Sequence, residues 1–227
     1  MDRVDDRHQG LVWRTCPIRD LPQDLGTLGL PASDHARAAS VADPAARRRF
    51  LGGRAVLRAT ITELCPDLDG RTVTIAVAPT GRPSIAERAD LHVSVSHTRG
   101  LAAAAVSTGG PVGIDVEPLE RTALPPGRAW LTRGEQARLA AHPPSEQHRQ
   151  LLRLWVAKEA TLKAHDTRIT RRGIAIRTDR GYAVEVVEPE PDGAVVALLR
   201  WEAIAHRFVL AIATLPGRPM RAGPSAL

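Results

Sequence analysis

Hydrophobic positions along the chain recur in two rhythms. Between residues 44 and 64, Phe50, Leu57, Ile61 and Leu64 follow one another at spacings of seven, four and three, which marks one helical face. Asp43 offers an N-cap and Pro44 suits the first helical position, so a helix is predicted from there to about Leu64. A second helix is predicted from Thr132, because Glu135 stands at the capping-box spacing; residues 141–145 break it. A third begins near Ser145 or Glu146 and carries residues 155–164, and a short one is expected over 33–40. Elsewhere the apolar runs have strand length: 11–13, 72–77, 91–95, 101–107, 112–117, 173–177, 182–187, 195–199 and 207–214. Turns are marked by Asp69-Gly70, by Thr80-Gly81-Arg82-Pro83 and by Asp192-Gly193.

Strands and a long helix, followed by strands and a long helix again, predict an α+β fold with helices packed on largely antiparallel sheets. Gly109-Gly110-Pro111 is the expected boundary between an N-terminal half, 1–110, and a C-terminal half, 111–215. The Pro- and Gly-rich end, 216–227, is expected to be disordered.

Composition narrows the class. The 227 residues are 43% hydrophobic and 25% charged, a soluble globular balance that can bury a core unaided. No run approaches the roughly 18 apolar residues that cross a bilayer, and residues 1–10 lack a signal-like apolar stretch, so a cytoplasmic protein with no membrane partner is expected. Two cysteines, Cys16 and Cys65, lack metal-ligand spacing, which excludes zinc or iron–sulfur centres held by thiolates. The net charge of +6 favours anionic partners. With one Tyr, two Phe and four Trp, and no phosphate-binding glycine loop, nucleic acid is a poor expectation. Of the 31 basic residues only Lys158 and Lys163 are lysine, and both fall in one helical segment.

Three segments carry candidate chemistry. In the strand Gly113-Ile114-Asp115-Val116-Glu117, alternation sends the apolar residues to one side and both carboxylates to the other, about 7 Å apart. That spacing suits Mg2+, although a strand with a wet outer face has the same pattern. In the helix 155–163, Glu159 and Lys163 lie one turn apart on the side of Trp155. They are either a stabilising pair beside a core Trp, or a third carboxylate and a lysine facing one anionic substrate. Lysine would act there as a compact charge or proton donor, which arginine does badly. In Val93-Ser94-Val95-Ser96-His97-Thr98-Arg99-Gly100, hydroxyls, imidazole and backbone donors share one turn, which fits phosphate or a structural corner. Hydrolytic use of His97 is disfavoured, since adjacent strand residues diverge and no nucleophile elbow is present. Arg47, Arg48, Arg49, Arg54 and Arg82 are explained by a solvated surface, with phosphate contact as the other reading.

Taken in order, RFLGGRAVLR (49–58), VSVSHTRG (93–100), GIDVE (113–117), WLTRGE (130–135) and WVAKEATLK (155–163) resemble the 4'-phosphopantetheinyl transferases of the surfactin-synthetase-activating type, with the W-x-x-K-E-A form. The resemblance spans roughly residues 11–214. It implies two similar α/β halves in pseudo-twofold arrangement, with coenzyme A in the cleft between them. It also implies transfer of the phosphopantetheine arm to a serine of an apo acyl or peptidyl carrier protein, in polyketide or nonribosomal peptide biosynthesis, by a monomer. By the resemblance, Asp115, Glu117 and Glu159 hold Mg2+, and Lys163 attends the reacting phosphate. His97 and Ser96 contact coenzyme A, and Arg49 and Arg82 its nucleotide end. The serine proton goes to Glu159 or to a metal-bound water. The chain departs from the family at Ala42-Asp43-Pro44, where many members carry cations and for which Arg37 is the substitute, and at Trp130-Leu131, which replaces a Phe pair.

Overall fold

The longest predicted helix forms where its capping residues put it. Asp43 accepts hydrogen bonds from the N–H groups of Ala45 and Ala46 and opens helix α2 (Pro44–Leu64), which follows α1 (Ala32–Ala39). Thr132 and Glu135 form the full capping box of α3 (Arg133–Ala141), and α4 spans Pro144–His165. This computed structural model describes residues 5–6, 10–121, 130–165, 175–179, 183–187, 198–205 and 207–215. The expected tail, 216–227, and the Asp192-Gly193 turn lie outside the described residues.

The strands are β1 (Asp5–Asp6), β2 (Leu11–Pro17), β3 (Ile75–Val77), β4 (Pro83–Ile85), β5 (His92–His97), β6 (Leu101–Ser107), β7 (Val112–Pro118), β8 (Ala175–Asp179), β9 (Ala183–Val187), β10 (Leu198–Ile204) and β11 (Phe208–Thr214). The strand predicted over 72–77 shortens because the N–H groups of Thr72 and Val73 turn back to the Asp69 carbonyl. Strand β4, not foreseen, pairs with what remains of it. Strand β10 runs past the expected end at 199 to Ile204, following its ladder with β11 from Leu198 opposite Thr214 to Ile204 opposite Phe208, and residues 195–197 lie outside the described residues.

All the ladders are antiparallel. The first sheet has the order β1-β2-β6-β5, the second β10-β11-β7, and β3-β4 and β8-β9 are small hairpins. The halves repeat one plan: strand, long helix, small hairpin, then a hairpin whose last strand pairs with the first strand. Helix α2 packs on β2, β5 and β6 through Leu57 and Ile61, while α4 packs on β7 and β11 through Leu152, Val156 and Ala160. Between the sheets lies a third core, containing Trp13, Leu101, Ala103, Ile114, Val116 and Ile212. It makes the halves one body.

Strand alternation assigns these faces. In β6, Ala102, Ala104 and Val106 meet α2, whereas Leu101, Ala103 and Ala105 meet the second sheet. In β7, Val112, Ile114 and Val116 enter the central core and Gly113 faces α4. A Cβ on Gly113 would stand 1.9 Å from the Ala160 carbonyl oxygen, so this helix crosses its strand closer than any side chain allows. No helix among the described residues is long and apolar enough to cross a membrane.

Candidate active site

The same alternation that buries Ile114 turns Asp115 towards α4. Because Gly113 lets that helix close on β7, Lys163 Nζ reaches Asp115 Oδ1 at 2.7 Å and the Ile114 carbonyl at 3.0 Å. From the other half, Ser96 Oγ donates to the same Asp115 Oδ1 at 2.8 Å. Asp115 is 6% exposed, and its Oδ2 is buried with no hydrogen-bond partner among the described residues. Two donors on one oxygen therefore leave the other anionic oxygen uncompensated, a costly arrangement unless a ligand supplies the partner.

Asp115 forms part of the wall of a cleft of about 390 Å3 where β5, β7, α2 and α4 converge. Glu117 and Lys163 share its C-terminal wall; Ser96, His97, Arg37 and Arg54 line it from the N-terminal half, with Phe50 and the Gly81–Pro83 turn completing that side. The wet outer face allowed for Asp115 and Glu117 is thus replaced by a half-closed cleft. Glu117 is also paired with Arg121, whose guanidinium stands 5.6 Å over the Trp155 ring.

Burial pushes the His97 pKa below 6.5; a backbone hydrogen bond opposes this, and the charges of Lys163 and Arg49 add to it. His97 is nevertheless exposed and lines the cleft. Arg49 is thus within electrostatic reach of the cleft and also pairs with Asp43 at 3.7 Å. Arg82 sits in the turn whose neighbours line the cleft and adds its charge to the burial that lowers the His92 pKa, but it is not itself among the described lining residues. Nor is Glu159, half-buried one turn before Lys163. Among the described residues no three His, Cys, Asp or Glu side chains stand together, so Asp115, Glu117 and Glu159 do not form a ready three-acid cluster.

The arginines need correction. A solvated helix face does not describe Arg54, which is 6% exposed, lines the cleft and has Nη1 buried without a hydrogen-bond partner among the described residues. It lies 5.1 Å over the Phe50 ring and 3.5 Å from Asp34. Arg48 donates to the carbonyls of Ile18, Leu21 and Pro22. Of the two readings given for Arg54, the solvated surface fails, and its i, i+4 relation to Phe50, which puts it beside the apolar stripe, is the signal that argued against it. Arg37, the suspected substitute cation, does line the cleft. The two lysines divide the labour. Lys158 is buried and donates to Glu135 and the Trp130 carbonyl, both at 2.7 Å, while fully buried Glu135 also accepts from the N–H groups of Thr132 and Ile176.

A buried carboxylate gripped by lysine in the wall of a cleft that arginines also line can receive an anionic ligand chemically. Residues 111–208, which include β7 and α4, match the family model described as the 4'-phosphopantetheinyl transferase superfamily. The chain is 32% identical over 173 residues to 4'-phosphopantetheinyl transferase HetI of Nostoc sp., covering 74% of this chain and 70% of that protein. The chain belongs to the 4'-phosphopantetheinyl transferase superfamily. Another similar member of the superfamily is 4'-phosphopantetheinyl transferase AcpT of Escherichia coli K12, 32% identical over 52% of this chain and 57% of its own. The Thermotoga maritima holo-[acyl-carrier-protein] synthase structure matches at 20% identity and TM-score 0.40, over 48% of this chain and 64% of that one.

Proposed function

We propose that this chain moves the phosphopantetheine arm of coenzyme A onto a serine of an apo carrier protein and releases adenosine 3',5'-bisphosphate. Phosphopantetheine transfer itself follows from family membership. The further assignment of this cleft as its site rests on one observation: Asp115 is buried there with one oxygen held by Lys163 and Ser96 and the other without a partner.

Mg2+ takes one or two protein carboxylates and leaves its remaining positions to water and substrate phosphate oxygens. Asp115 Oδ2 and Glu117 fit that demand and would hold it, with Glu159 as the third acid of the proposal. The ion would supply charge neutralisation at the pyrophosphate. The chain's own cations do the rest. Arg37, Arg54, His97 and Arg49 bind phosphate oxygens on the N-terminal side, and Arg82 attends the nucleotide end. Lys163 stands at the reacting phosphate, where it offsets charge developing on the leaving bisphosphate. The carrier partners are those of polyketide and nonribosomal peptide assembly, a reading supported by the W-x-x-K-E-A form of residues 155–160.

The test is intact-mass analysis of apo carrier domains from fatty-acid, polyketide and peptide systems after incubation with the protein, coenzyme A and Mg2+. The expected result is a gain of one phosphopantetheine that a chelator abolishes and that Glu159→Ala lowers by at least about 100-fold. No gain on any carrier, from folded protein that binds coenzyme A, overturns the proposal; full activity of Glu159→Ala removes Glu159 from it.

A further inference from the structure

The resemblance implies that the Ser96 hydroxyl contacts coenzyme A. Its hydrogen bonds point elsewhere. Strands β5 and β7 lie side by side where the sheets meet, and two serines on alternate positions of β5 bridge them. Ser94 Oγ accepts from the Ile114 N–H at 3.1 Å, and Ser96 Oγ accepts from the Val116 N–H at 3.4 Å. Both serines are buried. Up to this point they are equivalent, one residue pair apart along the seam.

They differ in where the hydroxyl proton goes. A serine hydroxyl has one proton to donate. With the Val116 N–H directed at its oxygen, Ser96 turns that proton to Asp115 Oδ1 at 2.8 Å. The order of donation is therefore Val116 N–H to Ser96, and Ser96 to Asp115. Nothing is left for a phosphate oxygen, and the remaining lone pair would repel one. The effect on Asp115 is specific: Ser96 and Lys163 converge on Oδ1 and pin the carboxylate, which leaves Oδ2 as the oxygen without a partner. Ser96 belongs to the N-terminal half and Asp115 to the C-terminal half, so the seam between them sets the carboxylate's orientation.

From this we infer that Ser96 is a positioning residue for Asp115, acting on divalent-cation affinity through the carboxylate and not on coenzyme A directly. The inference rests on the proposed metal role of Asp115. Outer-shell groups of this kind are worth 10–100-fold in metal affinity.

The experiment is Mn2+ titration by electron paramagnetic resonance of wild type, Ser96→Ala, Ser96→Thr and Ser94→Ala, with kcat and KM for coenzyme A measured in parallel. Ser94→Ala removes the same seam bond without touching a carboxylate, so it reports the structural cost alone. Ser96→Ala should weaken Mn2+ about 10-fold or more and leave KM for coenzyme A within about twofold. Ser96→Thr should restore affinity, and Ser94→Ala should bind Mn2+ like wild type. A rise in KM for coenzyme A with unchanged Mn2+ affinity overturns the inference in favour of substrate contact. Equal losses in Ser94→Ala and Ser96→Ala overturn it in favour of a seam effect. If Ser96→Ala does not fold, Ser96→Cys keeps the shape with a weaker donor, and wild-type Mn2+ affinity there overturns it too. Failure of wild type to transfer phosphopantetheine, with Mn2+ still bound, counts against the proposed function and leaves the Ser96 comparison readable.

Discussion

The two halves carry an ion pair at the same place with opposite polarity. Arg14 is the fourth residue of β2 and pairs with Glu63, the twentieth residue of α2. Asp115 is the fourth residue of β7 and pairs with Lys163, the twentieth residue of α4. The ladders agree as well, with Arg14 opposite Ala104 in the middle of β6 and Asp115 opposite Ala211 in the middle of β11. One repeated strand–helix bridge thus puts its cation on the strand in one half and on the helix in the other. Of the two bridges, the second lines the cleft, across which Arg37, Arg54 and His97 form the wall contributed by the first half. The first half supplies mainly positive groups, and the second supplies the acids and the lysine between them. The repeated bridge thus presents opposite charge arrangements in the two halves.

The sharpest way to break that comparison is to mutate the two carboxylates in parallel. Asp115→Ala should lower turnover about 1000-fold, with far-UV dichroism retained. Glu63→Ala should leave turnover within about twofold, since neither member of its pair lines the cleft that Asp115 lines. Comparable losses in both variants would show that the bridge is merely architectural.

The next effect is on stability. Glu135 in the second half accepts from Lys158, Thr132 and Ile176 with no exposure to solvent. Glu135→Gln should cost about 3 kcal/mol in urea denaturation, because it strands the buried Lys158 ammonium. The division of labour itself is tested by Arg37→Ala, which should raise KM for coenzyme A about 10-fold with kcat near wild type. A fall in kcat alone would move Arg37 to the reacting side.

The smallest effect is in pH. His97 has its pKa held below 6.5, so the ligand-free protein keeps it mostly neutral at pH 7 to 8. An anion beside it raises the pKa, and binding takes up a proton; affinity for coenzyme A should therefore rise severalfold as pH falls from about 8 to about 6. Calorimetry in buffers of different ionisation enthalpy measures that uptake, and His97→Gln should abolish it. For the free protein the sign reverses. The unfolded chain protonates first, so His97 withdraws stability as pH falls through 6.5.

Much of this was legible in the chain because the signals were local. The Asp43 cap, the Thr132–Glu135 box and the alternation of residues 112–117 placed three elements and aimed Asp115 correctly. The grouping of Asp115 with Lys163 and His97 was legible as well, through motif order. What stayed hidden depends on contacts distant in sequence. Arg54 looked like surface because helical phase alone does not show that α1 brings Asp34 over it. Lys158 and Lys163 are five residues apart, yet one completes a core and the other a cleft. The bond from Ser96 to Asp115 joins strands that the sequence separates by 19 residues, so its segment alone did not show it.

Gly113 gives the reversed pair its reach. The matching position in β2 is Val12, a full side chain, whereas a methyl group on Gly113 would collide with the Ala160 carbonyl and lie 2.6 Å from the Ala164 nitrogen. A hydrogen atom is therefore the spacer that gauges how far the ammonium stands from the carboxylate. Substitution there would alter no functional group, yet it would lift α4 off β7 and uncouple charge from charge, much as a shim put into a closed joint does.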